Sequence, residues 1–291
     1  MISAKIIADS VSPTSQRLTT FVLEYPRFVH SELMTHRTFS RNAASSRAIP
    51  ISKMISDVLS NPASPVHWGA NQKGMQADTE LKCIRRFLAK RLWFASRYAA
   101  VVTAWTFDKI GVHKQIANRV LEPWFMMRTL VSATDYQNFF ALRAHPDAQP
   151  EIKELAVCML NAYKKSVPVK KLPGEWHQPF ADKIELPELI EAGERRPSSR
   201  ILGIDVTDLI NRVCIARCAR ISYLTHGSDK VDYNKDLDLC ARLFGTFPRH
   251  LSPAEHVAQC LDDAIYCGNF AGWKQYRKTF MDENATFKYK S

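Results

Sequence analysis

The sequence predicts a single α+β domain in which helices and strands are mixed and a mid-chain connector separates two ordered stretches. Three observations carry that prediction. Residues 18–25, LTTFVLEY, alternate weakly, carry β-branched and aromatic side chains, and stop at Pro26, as a strand does. From Asp78 to Lys109 a run free of Pro and Gly places Leu81, Ile84, Leu88, Leu92, Ala95, Ala99 and Val102 at three-to-four spacing, the period of a long helix. Residues 166–203 gather five prolines and three glycines among many charges, a composition that interrupts regular structure.

The remaining elements come in chain order. Phe28–Met34 is a short helix, and the run 61–74, NPASPVHWGANQKG, is a loop by its Pro, Gly and Asn content. Gly111 closes the long helix; a further helix over His113–Leu121 must end near Pro123, since proline lacks the amide a helix interior needs. Tyr136–Ala144 and Pro150–Lys164 are helical, the second with Pro in its first turn and Glu151 near its positive end. A short helix around Leu186–Ala192 lies within the connector. Beyond it Asp205–Thr225 and Leu237–Phe244 are helices, and Val257–Tyr266 is a strand or a helix. The expected division is residues 1–165, a connector over 166–205, and 206–291 as the remainder of the same domain.

At 291 residues and 46% hydrophobic content the chain can fill a sizeable core. No run approaches the roughly 20 apolar residues of a membrane span, and MISAKIIADSVS lacks the basic-then-apolar pattern of a signal peptide, so a cytoplasmic protein is expected. The seven cysteines form no C-x-x-C pair, which fits reduced, buried thiols better than disulfides or zinc; His250 and His256, six apart, match no common metal-ligand spacing. A formal net charge of +11 favours anionic partners. The basic residues are dispersed in short pairs such as Arg85-Arg86 and Lys170-Lys171, so a phosphate-bearing small ligand fits at least as well as a nucleic acid.

The densest polar cluster is Thr35–Arg47, THRTFSRNAASSR, with three arginines, a histidine, an asparagine and several hydroxyls but no acid. Guanidinium forks and hydroxyls grip phosphates and planar carbonyls because they present several donors in fixed geometry. On the residues alone, two readings stand: a phosphate or nucleotide site, and a structural basic loop.

With its neighbours, this cluster resembles the flavin-dependent thymidylate synthases, which carry Arg-His-Arg, seven residues, then Ser. His36-Arg37 and Ser45 match that pattern with Thr35 in place of the first Arg, and Asn42 and Arg47 also fall at family positions. Residues 111–123, GVHKQIANRVLEP, are similar to a family helix end with an Arg at Arg119. Residues 138–143, NFFALR, and 147–152, DAQPEI, are similar to the family's Asn-Phe-x-x-Leu-Arg and Ala-Gln-x-Glu-Ile blocks. Two blocks that the family carries upstream occur instead near the far end, ARCARISY at 216–223 and HLSPAEH at 250–256. The resemblance thus covers roughly 18–165 and 212–256 in a circularly permuted order.

The resemblance implies a small mixed or antiparallel sheet packed by long helices, and C5 methylation of dUMP to dTMP. FAD would be the cofactor, methylenetetrahydrofolate the carbon donor and NADPH the reductant, in a homotetramer whose sites are built across subunits. It implies Arg143 as the group polarising the uracil ring, with Ser45, Ser46, Arg47 and Arg119 holding the nucleotide, and His36, Arg37, Asn42, Asn138 and Ser252 lining the flavin. Several positions depart from the family: Thr35, Ala43 where it has Glu, Glu32 where it has Gln, and Ser132 and Thr134. They leave room for a related C5 modification such as hydroxymethylation, for action on a base in nucleic acid, or for a non-catalytic binder of nucleotides or nucleic acid. Lys274–Lys278 and Glu283-Asn284 are candidate substitutes for the lost groups, against a plain C-terminal helix and turn.

Overall fold

The computed structural model describes residues 1–196, 205–221 and 232–284. Its centre is a five-stranded sheet in the order β3 (Ser40–Ala43), β4 (Met126–Ala133), β2 (Arg17–Pro26), β1 (Ser3–Val11), β5 (Val169–Lys170). Strands β1 (Ser3–Val11) and β2 (Arg17–Pro26) form an antiparallel hairpin whose register shifts between Ile6 and Ala8. β3 (Ser40–Ala43) and β2 flank β4 (Met126–Ala133), both antiparallel to it, and β5 (Val169–Lys170) adds a short parallel edge to β1. This is the small mixed, mostly antiparallel sheet that the resemblance implies.

The sheet is covered on both faces. Phe21, Leu23 and Tyr25 alternate along β2 and meet Ile152, Leu155, Ala156 and Met159 of a helix over Pro150–Lys165. From the other face Leu18 packs on Ala258, Cys260, Phe270 and Trp273, and Leu130 on Phe180, Cys218 and Ile221. Burial on both sides erases the apolar-polar alternation that marks a one-sided strand. For that reason β4 carries no strand signal in the sequence, and only its pairing reveals it.

In chain order the helices are α1 (His30–Met34), α2 (Ile51–Ser60), α3 (Cys83–Lys109), α4 (Lys114–Ala117), α5 (Gln137–Arg143), α6 (Pro150–Lys165), α7 (Leu186–Glu194), α8 (Val206–Arg220) and α9 (Tyr233–Gly245). The helix expected over His113–Leu121 is shortened to α4 and continues as a 3-10 segment, Asn118–Trp124, whose tighter winding accommodates Pro123. The buried Asn118 amide holds that segment by donating to the carbonyls of Ser46 and Ile49. Residues 222–225, expected to end the helix from Asp205, lie outside the described residues, as do Ser222 and Tyr223 of the ARCARISY block.

α3 forms where its periodicity places it, yet the apolar stripe points outward. Ile84, Phe87, Leu88, Leu92, Val102 and Trp105 are all more than half exposed, while Trp93, Arg97, Ala100, Val101 and Ala104 face the body.

Residues 166–205 enter the fold at several points. β5 lies on the sheet edge, β6 (Trp176–His177) pairs with β7 (Ala258–Cys260), and Phe180 is buried against Cys218. β7 also pairs with β10 (Trp273–Gln275), beside the hairpin of β8 (Tyr266–Cys267) and β9 (Phe270–Ala271), so Val257–Tyr266 opens as a strand. α7, α8 and α9 pack around Leu189, Leu209, Val213, Tyr233 and Leu237. Gly193 of α7 sits so near α8 that a β-carbon there would meet Leu209 at 2.6 Å. Among the described residues no helix is long and apolar enough to cross a membrane.

Candidate functional site

β3 organises the candidate site, because the turn before it carries His36 and Arg37 and the turn after it carries Ser45, Ser46 and Arg47. Four residues of strand separate the two turns by about 13 Å. The site residues accordingly fall into two groups within one chain.

The first group gathers on Arg143, in the last turn of α5. Its Nε donates to His36 Nε2 at 3.1 Å, one terminal nitrogen pairs with Glu32 of α1 at 2.9 Å, and the other reaches Thr35 Oγ1 at 3.4 Å. Because His36 Nε2 accepts that bond, its ring is neutral with the proton on Nδ1. Burial, then the charges of Arg143 and Arg41, hold the His36 pKa below its ordinary value. The ring is wedged against Phe39 and Phe139. Arg41, which no motif singles out, donates to the carbonyls of Met34 and His36 and fixes the turn.

The second group gathers on Glu122. Its Oε1 accepts from Ser46 Oγ and from Arg119, each at 2.8 Å, and its Oε2 lies 3.9 Å from Arg27. Ser45 anchors the turn through its carbonyl, which accepts from the amides of Ala48 and Ile49. The structure therefore brings Ser46 and Arg119 together through a carboxylate that sequence reasoning misses. The spacing from Arg119 to Glu122, one helical turn, is the available signal.

The flavin-lining candidates are spread around the first group. Asn42 on β3 is buried and donates to the Cys218 carbonyl of α8 at 2.6 Å, which ties the ARCARISY block to β3. Ser252 opens the 3-10 turn Ser252–Glu255, which packs on β3, and its side chain is exposed. Arg37, Arg47 and Asn138 are likewise exposed. None of these three shares a hydrogen bond or ion pair with Arg143 or Glu122 among the described residues.

Behind β3 a buried polar chain crosses the sheet. Ser10 bonds His177 at 2.9 Å, His177 bonds Thr20 at 2.8 Å, Thr20 bonds Ser132 at 2.6 Å, and Ser132 bonds His256 at 2.8 Å. His256 Nε2 is buried without a protein partner. Burial pushes both histidines down to about 3, Lys171 adding to this at His177 and His177 adding to it at His256. An unfolded histidine titrates near 6.5, so the unfolded chain binds more protons at every pH between that value and about 3. Stability is therefore complete above the unfolded value and declines as pH falls, by up to about 1.4 kcal/mol per histidine for each unit. Urea midpoints at pH 7 and pH 5 should show the decline, and His256→Gln should remove only part of it, because His30, pushed down to about 4 by burial and the nearby Arg27 and Arg41, and His36 contribute as well. Equal midpoints would contradict it.

Cys214 and Cys218 belong to this interior. Both are fully buried, and burial raises their thiol pKa values, Cys214 to about 12. They act as core filling, not as nucleophiles.

Acids from outside the cluster thus meet it and the arginines beside it: Glu122 takes Ser46 and Arg119, and Glu32 takes Arg143. Such pairs hold donors in place at half-exposed positions, where each is worth little and an incoming phosphate or ring carbonyl can replace the carboxylate. The donors match a flavin in chemistry: amides, a hydroxyl and an imidazole suit ring carbonyls and nitrogens, guanidinium suits pyrophosphate, and His256 offers an orphaned buried nitrogen.

Comparisons with known proteins bear on the same stretch. A family model described as thymidylate synthase complementing protein matches residues 6–169. The chain is similar to crystal structures of a UMP/dUMP methylase, PolB, from Streptomyces cacaoi. With 5-Br dUMP bound the identity is 17%, covering 57% of this chain and 90% of that one, with a TM-score of 0.47. With 5-Br UMP bound it is 19%, covering 57% and 89%, again with a TM-score of 0.47. No match is found among curated protein sequences.

Proposed function

Because the chain belongs to the thymidylate synthase complementing protein family, we propose that it methylates dUMP at C5 with bound FAD, methylenetetrahydrofolate as carbon donor and NADPH as reductant. The observation that carries this is Arg143, held at the turn before β3 by a neutral histidine and a carboxylate, inside the matched region.

Uracil C5 is a weak nucleophile, and charge drawn onto the ring carbonyls governs its reactivity. Arg143 presents a planar fork in an orientation fixed by His36, so no donor must reorganise as that charge moves. The nucleotide phosphate competes with Glu122 for Ser46 and Arg119, with Ser45 and Arg47 on the same turn. His36, Arg37, Asn42, Asn138 and Ser252 would hold the flavin, which when bound would supply the redox and one-carbon chemistry. An unprotonated His36 accepts from Arg143, while a protonated one repels it.

The exposed Arg47, Arg37 and Asn138 support a site completed by another copy, as does the outward apolar stripe of α3. An unpartnered stripe of this length on a helix is what a buried subunit contact leaves in an isolated chain. Paired Leu88→Asp and Leu92→Asp changes should lower the oligomeric mass seen by light scattering while leaving helix content unchanged. An unaltered mass would remove α3 from the interface.

The test of function is direct. The purified protein with FAD should be yellow, bleach anaerobically with NADPH, and with methylenetetrahydrofolate convert dUMP to a product heavier by one methyl group. A hydroxymethyl product would reassign the reaction, and protein that takes up no FAD would reject the flavin reading.

A further inference from the structure

The C-terminal segment fastens directly onto the turn that carries His36 and Arg37. Asn269 Nδ2 donates to the Thr38 carbonyl at 2.8 Å and to Ser40 Oγ at 3.1 Å. Gln275 Nε2 donates to the same Ser40 Oγ at 3.0 Å and to Asn269 Oδ1 at 2.9 Å, and Gln275 is only 2% exposed. The hairpin is tight: Gly268 lies at φ +72°, and a β-carbon there would meet Gln275 Oε1 at 2.9 Å. The buried Gln275 amide costs more to leave unpaired than its bonds gain when made, so its pairing with the partly buried Asn269 fixes the register of the residues just beyond it.

Arg277 lies two residues past Gln275. It pairs with Glu255 of the turn that packs on β3, and its Nε lies 3.2 Å from Glu283, which also binds Lys278 at 2.7 Å. Burial lowers the Arg41 pKa while Glu255 pulls it back up, which places Arg41 within the field of the same carboxylate. Arg277 thus faces both Glu255 and Glu283, Lys278 faces Glu283, and Arg41 lies in the field of Glu255, with exposed Arg37 on the adjoining turn. Glu255 is held within the packed body. Glu283 lies near the end of the described chain, and among the described residues its bonds are to Lys278 and Arg277, five and six residues away.

We propose that Arg277 is a cofactor-binding residue, delivered to the His36–Arg41 turn by Asn269 and Gln275, where it takes a phosphate of the dinucleotide once that phosphate displaces Glu283. This rests on the flavin reading of the site. The Arg277–Glu283 pair, 23% and 16% exposed, rests on a single bond from Nε to the carboxylate, whereas a guanidinium fork on a phosphate makes two charge-assisted bonds, so the exchange favours the ligand.

Titrating FAD into the full chain and following flavin fluorescence tests it. Arg277→Gln should weaken binding by about ten- to a hundredfold, the loss of one charge-assisted contact, and Arg277→Lys should recover part of it. Glu283→Gln, nearly unchanged in volume, should tighten binding several-fold by removing the competitor, and it keeps the test readable where Arg277→Gln fails to fold. Wild-type affinity in Arg277→Gln, or weaker binding in Glu283→Gln, would mark the cluster as a structural knot and overturn the proposal. A wild-type chain that binds no FAD removes the flavin reading itself, and this inference with it.

Discussion

Replacing Arg143 with alanine is expected to lower turnover by about two to three orders of magnitude, the loss that accompanies removal of one preorganised donor to a charge developing in the transition state. The fold should not change with it. The Arg143 side chain is 23% exposed and that of Glu32 26%, so water still reaches the pair, and pairs in contact with water contribute about 1 kcal/mol or less. Arg143→Lys keeps the charge but cannot bridge His36 and a ring carbonyl together, so it should recover only a small part of the rate. Single-turnover rates with saturating dUMP, beside thermal melts of each variant, separate the two effects. Full activity in the alanine variant would show that Arg143 is not the polarising group, and a collapsed melt would show that its role is structural.

The largest expected loss of stability lies elsewhere, at Asp236 of α9. Its carboxylate is buried and accepts from Arg217 at 3.4 Å and from Arg220 at 2.7 Å, both on α8. Arg217 is itself buried, donates once to the Phe180 carbonyl at 2.8 Å, and has a terminal nitrogen with no protein partner. Asp236→Ala leaves that charge uncompensated in the interior, which costs about 3–5 kcal/mol. Against a typical domain stability of roughly 5–15 kcal/mol this is a large share. Urea unfolding should show the midpoint falling, with Asp236→Asn intermediate. FAD affinity should fall as well, because α8 also supplies the Cys218 carbonyl that holds Asn42 on β3. A stability within about 1 kcal/mol of wild type would mean that water reaches Arg217 and screens its charge.

Some elements are legible in the sequence and others are not, for reasons particular to each. α6 can be read because its period is local and its start carries a local signal, Pro150 in the first turn, whereas α9 is read from its period over Leu237–Phe244 alone and starts four residues earlier, where Asp232 accepts from the Lys235 amide. β4 is invisible because it is buried on both faces. α3 is placed correctly as a helix but its exposed side cannot be read, since a stripe of Ile84, Leu88, Leu92 and Val102 has the same period whether it meets its own chain or another surface.

For the site, the sequence by itself determined the chemistry on offer: an acid-free run of arginines and hydroxyls from Thr35 to Arg47, with Arg119, Asn138 and Arg143 at recognisable spacings. Only the tertiary structure decided which of these meet. It gave Arg143 to Glu32 and His36, Ser46 and Arg119 to Glu122, and Arg277 to Glu255 and Glu283. The reason is one of range. Helical period and capping act over a few residues and are written in neighbouring letters, whereas the pairing of a buried charge depends on segments as distant as Glu32 and Arg143, brought together only when the chain folds.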